Sequence, residues 1–158
     1  MKIIGIDPGI SATGYGILED GMVTNYGTIR PKKGKTYTKL SEICKKIEGL
    51  ISSNKPDLAV LEKVFHKKNI QSLLRSSELR GAIILTLANK NIKIVEFAPA
   101  QIKLAITGNG RASKQQVRYF VERTMLQNNK KVSSDAIDAL AIAYTGVRKM
   151  HFQETLLN

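Results

Sequence analysis

Three β-like runs open the chain, Lys2 to Asp7, Ala12 to Glu19 and Met22 to Ile29, each rich in Ile, Val, Tyr or Thr. Pro8-Gly9 breaks the first pair, and Asp20-Gly21 between the second and third predicts a hairpin turn. Leu40, Ile43, Cys44, Ile47, Leu50 and Ile51 then recur at helical spacing, one apolar stripe on an amphipathic helix. Leu58 to Leu61 is a short, wholly apolar run ending at Glu62, as expected for a strand in the middle of a sheet. Ile70 to Asn89 shows the helical period again, with an apolar side that broadens toward its end. Ile92, Ile94, Val95 and Phe97 form a further strand, stopped by Pro99. Three helices follow: a short one around Gln101 to Ile106 ending at Gly108, one opened by a Ser113/Gln116 capping box, and one from Asp135 to about Lys149 capped by Ser134. Strands first in a hairpin set, then alternating with helices, predict a three-layer α/β fold with antiparallel and parallel strands in one sheet.

Length narrows the picture. At 158 residues the chain is expected to form a single domain over 1–158, its last residues a frayed tail. Apolar residues at 42% and charged residues at 24% are ordinary globular values, which excludes disordered and collagenous classes. No stretch reaches the roughly 18 apolar residues of a membrane span, and the N-terminal run is cut by Asp7 and Pro8, so it reads as a strand and not a leader. One cysteine, with no Cys/His cluster at zinc spacing, suits a reducing compartment, and the cytoplasm is the expected location. Charge changes the picture most. Lys and Arg number 25 against 13 Asp and Glu, a net charge of +12, which points to a polyanionic partner.

Against that basic background a few carboxylates stand at unusual places. Asp7 ends one apolar strand and Glu62 another, where parallel-type sheets offer functional groups to a crevice. Asp135 and Asp138 are three apart on a helix, so both project from one face among Ala136, Ile137, Ala139, Leu140 and Ala141. Like charges there repel and require cations; the competing reading is an N-terminal turn favoured by the helix dipole. Oxygen-rich, histidine-poor ligation suits Mg²⁺ or Mn²⁺ better than zinc. Such a cluster can hold two ions about 3.5–4 Å apart for phosphodiester hydrolysis. Taking those four acids from the 13 leaves nine against 25 basic residues, an acidic pocket in a positive surface. Glu96 and Asp57, on strand margins, read as acids outside the chemistry, and His66 and His151 lack a ligand-spaced partner.

Ile6-Asp7-Pro8-Gly9-Ile10-Ser11-Ala12-Thr13-Gly14-Tyr15-Gly16, Glu62-Lys63-Val64-Phe65, Ala98-Pro99-Ala100-Gln101-Ile102-Lys103 and Asp135-Ala136-Ile137-Asp138-Ala139-Leu140-Ala141 together resemble the RuvC family of bacterial Holliday-junction resolvases, nearly end to end. The resemblance implies an RNase H-like fold with a mixed five-stranded sheet flanked by helices, a homodimer, and Mg²⁺-dependent nicking of four-way DNA junctions. The family's catalytic acids fall on Asp7, Glu62, Asp135 and Asp138. Some members carry His at the position of Asp135; here an all-carboxylate site is expected, holding two Mg²⁺, with Mn²⁺ as a substitute. DNA contacts are implied for Phe65, Lys103, Lys114, Arg75 and Arg80, and for Arg111 in the Gly108 to Ser113 loop. The branch-migration proteins RuvA and RuvB are implied as partners. Taken singly, Phe65 could equally be core and each lysine a solvated side chain.

Two other classes compete with the nuclease. A DNA-binding module without catalysis would use the acids only as helix caps. An actin-like ATPase or kinase would use Asp7-Pro8-Gly9 and Thr13-Gly14 to cradle phosphate, but that architecture closes two such domains around a nucleotide. The nearest rival within the nuclease class is an RNase H-like enzyme acting on RNA/DNA hybrid or linear duplex.

Overall fold

A computed structural model describes residues 1–63, 70–126 and 131–157, with side chains through 150. The expectations for Phe65 and His66, and for the His151 side chain, lie outside the described residues. Strands β1 (Lys2–Asp7), β2 (Thr13–Glu19), β3 (Met22–Ile29), β4 (Leu58–Glu62) and β5 (Lys93–Phe97) form one sheet in the order β3-β2-β1-β4-β5. The first three run antiparallel, while β1/β4 and β4/β5 are parallel, so the mixed five-stranded sheet expected from the resemblance is present. Helices α1 (Thr36–Asn54) and α2 (Ile70–Asn89) cover one face. Helices α3 (Pro99–Thr107), α4 (Lys114–Met125) and α5 (Ser134–Leu157) cover the other. Asp20 and Gly21 both have positive φ, as the hairpin turn between β2 and β3 requires.

Strand alternation decides which side chain faces which layer. Ile4, Ile6, Ala59 and Leu61 pack with Ile43, Ile47, Leu79, Ile83 and Leu87 beneath α1 and α2. Ile3, Leu58 and Val60 pack on the α5 side with Ile137, Leu140 and Val147. Counting on by two from these residues, Asp7 and Glu62 fall on the α5 side. They also fall beside each other, one residue beyond the Ile6↔Leu61 pairing of parallel β1 and β4.

Helix α5 lies unusually close to the sheet because both surfaces are made of small residues. A Cβ on Gly5 would come within 2.3 Å of the Ala139 carbonyl oxygen and 2.4 Å of the Ala143 nitrogen. One on Gly14 would stand 1.9 Å from the Asp135 carbonyl oxygen. Only glycine permits these contacts, and they set the height of the helix over β1 and β2.

The N-terminus of α5 departs from expectation. Ser133 is its cap instead of Ser134: the Ser133 hydroxyl accepts from the Ala136 N–H at 3.3 Å, and its carbonyl accepts from the Ile137 N–H at 3.1 Å. Ser133 Oγ also shares a 2.5 Å hydrogen bond with Thr28 Oγ1 on β3, which pins the cap to the sheet. The helix continues to Leu157 and does not stop near Lys149.

Candidate active site

Asp7, Glu62, Asp135 and Asp138 line one cavity of about 350 Å³, together with Pro8, Gly9, Ala12, Pro99, Ile102, Lys103, Lys114, Val117, Ala141 and Ile142. Each acid arrives by a different local rule. Asp7 is the last residue of β1, where Pro8 removes an amide donor and ends the ladder. The turn that follows is tight: a Cβ on Gly9 would lie 2.3 Å from the Ala12 carbonyl oxygen, and buried Thr13 donates its hydroxyl to the Gly9 carbonyl at 2.8 Å. Glu62 ends β4 opposite Phe97, and the Lys63 N–H donates to the Phe97 carbonyl at 2.8 Å, holding the chain against β5 as it leaves the sheet. Asp135 and Asp138 sit in the first turns of α5, their height fixed by the Gly14 contact and the Ser133 cap.

The electrostatics are those of partly buried, mutually repelling carboxylates. Burial pushes the Asp7 carboxyl up to about 7, and the nearby Asp138, Glu62 and Asp135 charges add to the rise. Asp138 is also raised, because its burial outweighs the lowering influence of Lys114. Lys114 Nζ stands 3.4 Å from Asp138 Oδ2, and this proximity raises the Lys114 pKa, so its ammonium stays charged. On the other flank Arg30 Nη2 lies 3.6 Å from Asp135 Oδ2. Among the described residues no three acidic, histidine or cysteine side chains are already gathered at metal-ligand spacing. The four carboxylates nevertheless share the lining of one space.

The other sequence candidates separate by place. Lys103 and Lys114 line the cavity with the acids. Arg111 is exposed in the loop before α4, its N–H donating to Asn109 Oδ1 at 2.9 Å, and does not line the cavity. Arg75 is exposed on α2, in the layer across the sheet. Arg80, on the same helix, is mostly buried and ion-paired with Glu96 on β5. Glu96 is therefore half-buried and partnered, not exposed by strand alternation. Asp57 caps the sheet: its Oδ2 accepts from the Lys2 N–H at 2.7 Å, and its own N–H donates to the Lys2 carbonyl at 2.8 Å. Cys44 is half-buried on α1.

Residue spacing alone missed three contributors. Arg30 reads as the start of a basic connector, and only the β3/β2 pairing brings it beside α5. Thr28 and Ser133 are 105 residues apart, with no local signal linking them. Gly14 and Gly16 on β2, with Gly5 paired to Gly16 from β1, do leave a signal, small residues on one sheet face that mark close backbone approach.

Comparison with known proteins bears on fold and family. Residues 3–146 match the family model for crossover junction endodeoxyribonuclease RuvC. A crossover junction endodeoxyribonuclease RuvC from Prochlorococcus marinus is 41% identical over 157 residues, covering 96% of this chain and 99% of that protein. One from Chloroherpeton thalassium is 40% identical over 151 residues, covering 92% and 81%. The structure of Thermus thermophilus RuvC in complex with Holliday junction substrate superposes with a TM-score of 0.85 at 20% identity, covering 96% of each chain. The architecture is thus the RNase H-like α/β fold. With the family model spanning nearly all of the sheet and all four acids, this chain belongs to the RuvC family of crossover junction endodeoxyribonucleases.

Proposed function

We propose that the chain is a structure-selective endonuclease that resolves four-way (Holliday) DNA junctions by hydrolysing phosphodiester bonds in paired cuts, leaving 5′-phosphate nicks. The observation that carries this reading is the convergence of Asp7, Glu62, Asp135 and Asp138 on one cavity in a chain of net charge +12. A non-catalytic binder gains nothing from a buried, mutually repelling acid cluster, which costs stability unless a cation compensates it.

The donor set fits a hard divalent ion. All four groups are carboxylates lining one cavity, and burial together with the neighbouring acids pushes Asp7 up to about 7. Asp7, Glu62, Asp135 and Asp138 are the residues that would hold Mg²⁺, two ions per site, with Mn²⁺ as a substitute. When bound, such ions supply Lewis-acid activation of water and neutralisation of the phosphate charge. The protein's own side chains do the rest. Lys114 and Lys103 bring ammonium charge to the cavity for a phosphodiester and its transition state. Pro99, Ile102, Val117 and Ala141 contribute apolar wall beside those charges. Phe65, beyond the described residues, is proposed to stack on a base near the junction centre. Arg111 and Arg75 are proposed to contact phosphates away from the cavity, while Arg80, held by Glu96, serves at most the surface around them.

A homodimer supplies the second cut, since a two-fold pair presents two sites to a pseudo-symmetric junction. Exposed Ile70, Leu74 and Leu85 on α2, at 72%, 58% and 61%, support that pairing. RuvA and RuvB are the proposed branch-migration partners and the cytoplasm the proposed compartment. Among the described residues no helix is long and apolar enough to cross a membrane.

The test compares a mobile four-way junction, a linear duplex and an RNA/DNA hybrid, each with and without Mg²⁺. Symmetric ligatable nicks in the junction, only with the divalent ion, are expected. Cutting of the hybrid or duplex in preference to the junction would replace this reading with another RNase H-like nuclease.

A further inference from the structure

We propose that Arg30 is an exchangeable counter-ion of the acid cluster: it neutralises Asp135 while no divalent ion is bound, and moves to a DNA phosphate when one is. The inference rests on the nuclease reading and goes beyond it, because it assigns a counter-ion and phosphate-contact role to a residue outside the cavity lining.

Arg30 directly follows β3, whose last residue, Ile29, is buried and paired with Thr13 of β2. The backbone at this point is therefore fixed, while the side chain is 63% exposed. The 3.6 Å separation from Asp135 is an ion pair but exceeds the 2.7–2.9 Å typical of a charge-assisted hydrogen bond, so the contact is readily broken. Nor is it needed to hold α5 in place. Thr28 and Ser133 already tie β3 to the helix cap at 2.5 Å, and Gly14 sets the helix against β2. The pair is better explained by charge than by architecture.

Asp135 lies in the first turn of α5. A divalent ion entering the cluster needs that carboxylate and meets Arg30 as a competitor. Once displaced, a guanidinium can grip a phosphate with two parallel hydrogen bonds, which an ammonium cannot. Beyond Arg30 the chain continues through Pro31 to exposed Lys32, Lys33 and Lys35. The Lys32 N–H donates to Glu42 Oε2 at 2.9 Å, so this basic edge is ordered against α1. Among the described residues Lys33 has no ion pair. Arg30 thus stands between these exposed lysines in the chain and Asp135 of the cavity.

The experiment compares the wild-type chain with Arg30→Ala and Arg30→Lys, all checked for equal melting temperature. Mn²⁺ binding to DNA-free protein is followed by electron paramagnetic resonance, and junction binding is followed in Ca²⁺ across a salt series. Arg30→Ala is expected to bind Mn²⁺ about three- to tenfold more tightly, the reverse of what loss of a ligand or a supporting contact would do. It is also expected to bind the junction several-fold more weakly, with the salt slope reduced by about one. Arg30→Lys should fall between. Unchanged or weaker Mn²⁺ binding by Arg30→Ala, or an unchanged salt slope, overturns the proposal. Failure of the wild-type chain to cleave the junction in Mg²⁺ would sink the nuclease reading itself and leave the Mn²⁺ comparison standing on its own.

Discussion

Asp7 holds its proton to about pH 7 in the folded, metal-free chain, against 3.8 when unfolded. Between those values the unfolded state binds fewer protons, so stability falls as pH rises through the interval. Asp7→Asn removes that penalty. In a chelator the variant should melt higher than wild type at pH 8, by the equivalent of on the order of 1–3 kcal/mol, and gain nothing at pH 4. Thermal melts of both proteins at several pH values check this; a gain independent of pH would mean that Asp7 is not desolvated by its neighbours. The same variant should bind junction DNA normally and lose cleavage in Mg²⁺. For Lys114, whose ammonium stands 3.4 Å from Asp138, replacement by Ala should lower the cleavage rate at saturating junction roughly 10- to 100-fold, with Arg restoring part of it. Single-turnover kinetics separate that loss from a loss of binding.

Packing of α5 is where element-level design meets the chemistry. Gly14→Ala forces a methyl group into the Asp135 carbonyl and must lift the start of the helix, costing about 1–3 kcal/mol. Because that turn carries two of the four acids, cleavage should fall far more than the melting temperature suggests. Gly49→Ala, on α1 with open space around it, is the control: it should stabilise by about 0.5–1 kcal/mol and leave cleavage alone. Paired melting and cleavage measurements on both variants decide the matter. The strands and helices were legible in the sequence because their apolar periods are strong, and Asp7 and Glu62 were legible because a charge ending an apolar run has few structural excuses. Ser133 was misread by one position, since Ser134 is an equally good cap by residue type and only the Thr28 bond chooses between them. Arg30 was illegible as a site residue because its neighbour lies across a β-pairing and a helix, a contact that no local period encodes.

At the scale of the whole molecule, α2 divides its apolar residues between two destinations. Leu79, Ile83 and Leu87 are buried against the sheet, while Ile70, Leu74 and Leu85 face outward. If the proposed homodimer forms through this face, placing Glu at both Leu74 and Leu85 should leave the fold intact and convert the dimer into a monomer in sedimentation velocity. Paired cuts in the junction should then become single nicks. A variant that remains dimeric would move the interface to another surface.

The two halves of the acid cluster come from opposite ends of the chain, Asp7 from the first strand and Asp135 and Asp138 from the helix laid back over it. A ribosome that has made only residues 1–133 has supplied two of the four carboxylates, Asp7 and Glu62. For the proposed nuclease, the full set of four carboxylates is assembled only once α5 is docked on the sheet.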